Sequence, residues 1–370
     1  MRKKVVFCTD GIFPHAVCGM QRHSRLLIEA LVQNNSLELF VIHPHAEAVF
    51  DKALGIREIA IEGINQKKNY LLECYQYSKR VFAIVQQYPD AVLYSQGLSV
   101  WYKCSQLKDR LIVNPHGLEP YQGLTRKDKL IGLPFRKVFH YIFSNSRYVI
   151  SLGGKLTDIL KANISDNRKI ITIPNAVNAP DASVVFQRTI QAGTIQALFV
   201  SRFAHNKGIG VLMDAITKLN SKGYGNRFRF KLAGKGPLFD YYTTNYQFKN
   251  VEYLGFVKDD ELENLYAHAD LFVFPTLFEG MPTVVLEAMA TGLPVIVSDT
   301  GATAELVDNS NGFLIEKGNV DALTESLINF SEMPPGQIKE MWAASYVKVK
   351  EKFTWDKVAE STYTLISRLM

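Results

Sequence analysis

FEGMPTVVLEAMATGLPVIVS, residues 278–298, carries two carboxylates on either side of a tight turn. Glu279 precedes Gly280-Met281-Pro282, and Glu287 lies about one helical turn beyond Thr283, on the first half of a short helix. Between the two acids, the turn and helix start offer backbone N–H groups without intrahelical partners and the positive end of a helix dipole, which suit an anionic ligand. Two acids around such a start can take the hydroxyls of a sugar nucleotide while the N–H groups face its phosphate. They read equally, in isolation, as a surface Glu and a capping Glu. The closing PVIVS is an apolar run of strand length, so the stretch is one turn of a βα repeat.

That repeat extends along the whole chain. VVFCT, LELFVIH, AVLYSQ, LIVN, YVISL and ITIP are strand candidates in the first half, and ALFVS, FRFKLA, VEYLG, LFVFP, PVIVS and GFLI in the second. Helical spacing separates them, as in Met20 to Gln33 and Tyr70 to Gln87. The stretch from Asn178 to Gln196 is polar and without period, and reads as a connection. A length of 370 residues suits two domains. The expected fold is α/β: two Rossmann-like, doubly wound parallel-sheet domains facing across a cleft, residues 1–180 and 181–352, with ligands outside the carboxyl ends of the strands. A last helical segment, 353–370, places Trp355, Val358 and Leu365 on one face.

Composition narrows the class. With 47% hydrophobic and 21% charged residues the chain is globular, and no run approaches the 18 apolar residues of a membrane span. The start, MRKKVVFCTDG, reads as a first strand, and Cys8, Cys18, Cys74 and Cys104 show no paired spacing, so the expectation is a cytoplasmic protein with reduced thiols and no zinc. A net charge of +6 without a basic, aromatic-interleaved stripe gives no case for nucleic acid. One basic cluster, TRKDKLIGLPFRK, runs into VFHYIF; residues 126–143 read either as a peripheral contact with the anionic inner membrane or as a solvated helix face turning into core.

The 278–298 segment resembles the Glu-x7-Glu signature of retaining, family-4-type glycosyltransferases of the GT-B fold (glycosyl transferases group 1). Both Glu, the following Gly, Leu-Glu-Ala-Met-Ala and Gly-Leu-Pro-Val-Ile-Val-Ser match, while Met281-Pro282 replaces the usual Phe-Gly. Ser201-Arg202-Phe203 and Lys207-Gly208 resemble the family's Gly-Arg-Leu and Lys-Gly, with Ser and Phe as departures. The resemblance implies that Arg202, a planar fork, and Lys207, a mobile point charge, stabilise a departing diphosphate without a metal, although an Arg and a Lys in such a loop alone are more often merely solvated. Gly19 stands where relatives place a Gly-Gly pair that approaches the donor phosphates; Cys18 replaces its partner. His116, in Asn114-Pro115-His116-Gly117, resembles the active-site histidine beside the donor sugar. Gly234-Lys235-Gly236-Pro237 and Gly255-Phe256-Val257 match loops that line the nucleotide base, which puts Gly236 and Phe256 with Gly280, Met281, Pro282 and Thr283 in donor binding. His15, Glu119 and Glu305 are lesser candidates. Further departures are Asn175-Ala176-Val177-Asn178 before the connection and Ser151-Leu152-Gly153-Gly154 in place of the family's Ser-Glu-type sequence at the end of a first-domain strand.

The resemblance therefore implies a metal-independent hexosyltransferase acting with retention. It would move a hexose or N-acetylhexosamine from a UDP- or GDP-linked donor to a growing, possible lipid-linked, glycan of surface polysaccharide or lipopolysaccharide. Glu279 would bind the transferred sugar and Glu287 the ribose; no other cofactor is expected. The final helix would cross back to the first domain. The rivals are a non-catalytic sugar-nucleotide-binding subunit, which losses among the charged residues would favour, and a sugar-nucleotide epimerase, which lacks the Glu pair with its Arg and Lys.

Overall fold

The computed structural model describes residues 2–16, 19–65, 67–185 and 193–369. They divide into two units, 1–176 with 355–370 and 177–354. The boundaries fall a few residues from 180 and 353, and the terminal helix counts with the first unit.

The first unit is built on seven strands: β1 Lys3–Cys8, β2 Leu37–His43, β3 Arg57–Ala60, β4 Val92–Gln96, β5 Leu111–Asn114, β6 Tyr148–Ser151 and β7 Ile170–Thr172. Every pairing is parallel, in the order β3-β2-β1-β4-β5-β6-β7. The order reverses between β1 and β4, which opens a crevice beyond their carboxyl ends where ligands of such sheets bind. Four main helices follow: α1 Gly19–Val32, α2 Tyr70–Val85, α3 Arg126–Ser144 and α4 Gly154–Asn163. Strands β1, β2, β4 and β5 are buried nearly throughout, as expected of parallel strands covered on both faces.

The sequence reading did not anticipate β3. It is a four-residue edge strand, REIA, with alternating exposure and no apolar run to mark it.

The second unit repeats the design with six strands: β8 Ile195–Val200, β9 Phe228–Ala233, β10 Val251–Gly255, β11 Leu271–Phe274, β12 Val295–Ser298 and β13 Gly312–Ile315. The order is β10-β9-β8-β11-β12-β13, again all parallel, with its reversal between β8 and β11. A short helix, α5 Ala182–Val185, precedes the sheet. The other helices are α6 Ile209–Ser221, α7 Phe239–Asn245, α8 Asp259–His268, α9 Thr283–Ala290, α10 Thr303–Leu306, α11 Val320–Glu332 and α12 Pro335–Lys352. Of the expected polar connection, 186–192 lies outside the described residues, and Ile195 and Gln196 already belong to β8.

The last helix, α13 Trp355–Ser367, packs in the first unit against α1. Trp355, Val358, Leu365 and Ile366 join Leu27, Ile28 and Leu31 in one buried cluster. The heptad-like spacing seen in sequence is thus the packing face. Among the described residues no helix is long and apolar enough to cross a membrane.

Candidate functional site

In the second unit the candidate residues collect at the switch between β8 and β11. The chain leaves β8 at Val200 and reaches Lys207 through a short 3-10 turn, His205–Lys207, before α6. It leaves β11 at Phe274 and passes Thr276 and Glu279 before α9. The two loops are tied: Leu277 N–H donates to the Asn206 carbonyl at 2.9 Å, and the buried Thr276 hydroxyl donates to the same carbonyl at 3.0 Å. Gly208 permits this approach. Its φ is +73°, and a Cβ there would lie 1.7 Å from the Pro275 carbonyl oxygen.

The tied loops bring Lys207 and Glu279 into an ion pair between the ammonium and Oε1, with side chains only 22% and 13% exposed. Thr276 Oγ1 lies 3.4 Å from the same carboxylate oxygen. Partial shielding from water makes this pair stronger than an open surface pair, while leaving it reachable by a ligand. Arg202 is exposed just before it, and its guanidinium has no partner among the described residues. The loop after β9 backs Arg202. Phe203 N–H donates to the Lys235 carbonyl at 3.0 Å, and Gly234, at φ +130°, lies so close to Ser201 that a Cβ would sit 1.8 Å from its carbonyl oxygen. Gly236 is pressed against Arg202 and Phe203 in the same way.

Pro282 precedes α9 with extended dihedrals and places no side-chain cap on it. Met281 is buried beneath the turn, and Gly280 accepts the Ala302 N–H at 2.8 Å, so the loop after β12 buttresses the helix start. Glu287 lies on α9. Its Oε2 accepts a hydrogen bond from the Tyr266 hydroxyl of α8 at 3.0 Å. Tyr266 was missed in the sequence, where only an aromatic with a polar tip inside an otherwise acidic helix could have marked it. Phe256, after β10, is 75% exposed and offers a bare aromatic face. Glu305 is exposed on α10.

In the first unit the candidates sit beyond β1, β4 and β5. His116 follows β5 in the left-handed region, at φ +56°, a conformation that costs a non-glycine residue about 1–2 kcal/mol. Its N–H donates to Asn114 Oδ1 at 3.1 Å, and its Nε2 lies 3.3 Å from Gln96 Oε1 at the end of β4. Burial, and then the neighbouring His23, hold its pKa well below the usual histidine value, so the ring is neutral at pH 7. The His23 ring stands edge-on at 5.1 Å.

Gly19 opens α1. Its φ is not positive, and nothing lies within 4 Å of where a Cβ would be. That leaves room for a ligand. Cys18 lies outside the described residues. His15 is exposed with its ring 5.0 Å from that of His45, and Glu119 is exposed at the start of a 3-10 turn after β5.

On α3, Thr125 and Asp128 form a capping box, and hydrogen bonds from Thr125 hold the Asp128 carboxyl below its usual range. Six of the ten large apolar side chains that stand exposed among the described residues lie on α2 and α3: Tyr70, Leu72, Leu130, Ile131, Leu133 and Tyr141. The Tyr70 and Phe135 rings, 6.2 Å apart, join the two helices, and Arg126, Lys127, Lys129 and Lys137 are exposed on α3.

These features define a doubly wound α/β chain whose second unit presents cations and paired carboxylates at its switch point. Residues 194–332 match the family described as Glycosyl transferases group 1. It is 32% identical over 191 residues to an uncharacterized glycosyltransferase of Methanocaldococcus jannaschii, covering 49% of this chain and 47% of that one. It is 29% identical over 186 residues to the amylovoran biosynthesis glycosyltransferase AmsK of Erwinia amylovora, covering 47% and 45%. The matches span about half the length of these relatives. Sucrose-phosphate synthase from Thermosynechococcus elongatus superposes with a TM-score of 0.80 at 19% identity, over 100% of this chain and 99% of that one. Anabaena HepE in complex with UDP-glucose gives a TM-score of 0.68 at 18% identity, over 98% and 99%. The fold is GT-B.

Proposed function

We propose that this chain is a glycosyltransferase that moves a hexose or N-acetylhexosamine from a nucleoside-diphosphate sugar to a growing surface glycan, with retention and without a metal. The observation that carries the reading is the Lys207–Glu279 pair at the switch point of the second unit, with the exposed Arg202 on the same loop as Lys207. As the glycosidic bond breaks, negative charge grows on the departing diphosphate. Arg202 and Lys207 supply fixed positive charge there, and a preorganised charge stabilises that state without reorganisation. Glu279, held by Lys207, takes hydroxyls of the transferred sugar, and Glu287, oriented by Tyr266, takes those of the ribose. Gly236 and Phe256 line the base, while Gly280, Met281, Pro282 and Thr283 turn the start of α9 toward phosphate. Gly19 leaves room for donor phosphate, and the neutral His116 accepts or donates one hydrogen bond to a sugar hydroxyl. The acceptor hydroxyl attacks the face the leaving group departs from and gives its proton to the leaving phosphate.

The named relative that builds amylovoran supports a polysaccharide acceptor, and HepE's complex supports a UDP-linked donor. We assign the basic, apolar surface of α2 and α3 to an anionic bilayer that presents a lipid-linked acceptor, its lysines and arginines meeting headgroups and Leu130, Ile131 and Leu133 entering the interface. The test is transfer of labelled sugar from UDP- and GDP-hexoses to lipid-linked oligosaccharide in anionic vesicles, with and without a chelator. Transfer unaffected by chelator and abolished in Lys207→Ala is expected; chelator-sensitive transfer would overturn the metal-free mechanism.

A further inference from the structure

Gln96 and Asn114 are directly opposed residues at the carboxyl ends of the adjacent strands β4 and β5. Both are buried, and both end on His116. Asn114 Oδ1 accepts the His116 backbone N–H at 3.1 Å, and Asn114 Nδ2 in turn donates to the Tyr94 hydroxyl at 3.3 Å. Gln96 Oε1 lies 3.3 Å from the His116 ring Nε2 and also receives the Ser24 hydroxyl of α1, which it shares with the Met20 carbonyl. One cross-strand pair therefore holds the backbone of His116 in its left-handed turn and the ring in its plane.

The chemistry of the contact selects a proton position. Gln96 presents its amide oxygen to the ring and to Ser24, its Nε2 being without a partner among the described residues; an amide oxygen only accepts, so the imidazole nitrogen facing it carries the hydrogen. The other tautomer would set two lone pairs against each other in a buried setting, where unpaired polar atoms are costly. On the remaining side stands His23, the titratable group that faces this ring, whose own nitrogens have no hydrogen-bond partner among the described residues.

We propose that Gln96, braced by Ser24, is the positioning residue that fixes His116 as the Nε2–H tautomer and reserves Nδ1 as a hydrogen-bond acceptor for a substrate hydroxyl. The tautomer assignment stands on the first unit alone; the substrate hydroxyl rests on the transferase reading above.

The test is long-range proton–nitrogen NMR of the full chain labelled with 15N-histidine at pH 7, with His116 assigned by its loss in His116→Gln. A single Nε2–H pattern is expected in the natural sequence and in Gln96→Glu, where a carboxylate still accepts. Gln96→Leu and Gln96→Met, which remove the acceptor with different shapes, are expected to give mixed tautomers. They should also lower kcat/KM about tenfold, the lower end of what removal of an outer-shell orienting partner costs. An Nδ1–H pattern in the natural sequence, or an unchanged pattern in whichever apolar variant folds, would overturn the assignment. The expected shift to mixed tautomers in the apolar variants, with transfer absent in the natural sequence as well, would instead count against the transferase reading and leave Gln96's role standing.

Discussion

His23 gives the first unit a built-in sensitivity to acid. Its side chain is 4% exposed, its ring nitrogens have no partner among the described residues, and burial lowers its pKa from the usual 6.5 to about 4. Between those two values the unfolded chain binds a proton that the folded chain refuses. Stability must then fall as pH falls through this window, and is fully retained above it. A difference of 2.5 units at 1.36 kcal/mol each amounts to about 3 kcal/mol lost by pH 4. His116, also held below its usual value by burial and by His23, adds to the loss in the same direction. Replacement by His23→Phe removes the titrating group and fills the space with a ring of similar outline. The variant should be at least as stable at pH 7, because two orphaned nitrogens disappear, and should lose about 3 kcal/mol less than the natural sequence between pH 7 and pH 4. Carboxylates titrate in both proteins and cancel in the difference. Native-state hydrogen exchange followed on peptides from β1 and β4 isolates the first unit's opening from that of the second. Parallel pH dependence in the two proteins would refute the reasoning, because it would mean that His23 is charged or solvated in the folded state.

Three further outcomes are expected. Lys207→Ala removes the cation we propose faces the diphosphate, together with the ion pair to Glu279, and should lower kcat by roughly a hundredfold or more in a single-turnover transfer assay. Tyr266→Phe deletes the hydroxyl that orients Glu287; donor KM should rise roughly tenfold, about 1.4 kcal/mol, with kcat little changed in steady-state kinetics. Gly208→Ala forces a Cβ into the Pro275 carbonyl at φ +73°, and calorimetry of the second unit's transition should show a loss of about 3 kcal/mol, since both strain and overlap act at once.

Much of the fold was readable because parallel strands buried on both faces must be apolar runs. LELFVIH, LIVN and FRFKLA were bounded in sequence where the structure bounds them, and so were VEYLG and GFLI, partly exposed edge strands of the second sheet that still carry apolar runs. The edge strand β3 was not, since an edge needs neither length nor continuous apolarity. The candidate residues Arg202, Gly236 and Phe256 of the second unit stand out for a related reason: they lie just after strands, where the chain must turn. What sequence could not supply was partnership. Nothing in the order of residues pairs Lys207 with Glu279 or Glu287 with Tyr266, because those contacts depend on how loops after β8 and β11, and helices α8 and α9, come to rest. The Gln96–His116 contact depends likewise on the register of β4 against β5.

The most direct measurement is calorimetric binding of UDP-, GDP-, ADP- and TDP-sugars to the full chain, without added metal, for the natural sequence, Glu287→Ala and Lys207→Ala. One nucleotide class should bind, Glu287→Ala should weaken both the nucleoside diphosphate and its sugar conjugate, and Lys207→Ala should weaken every ligand that carries the diphosphate. Binding of a donor that is indifferent to both substitutions, in folded protein, would contradict the assignment of the β8–β11 switch point as the nucleotide-sugar site.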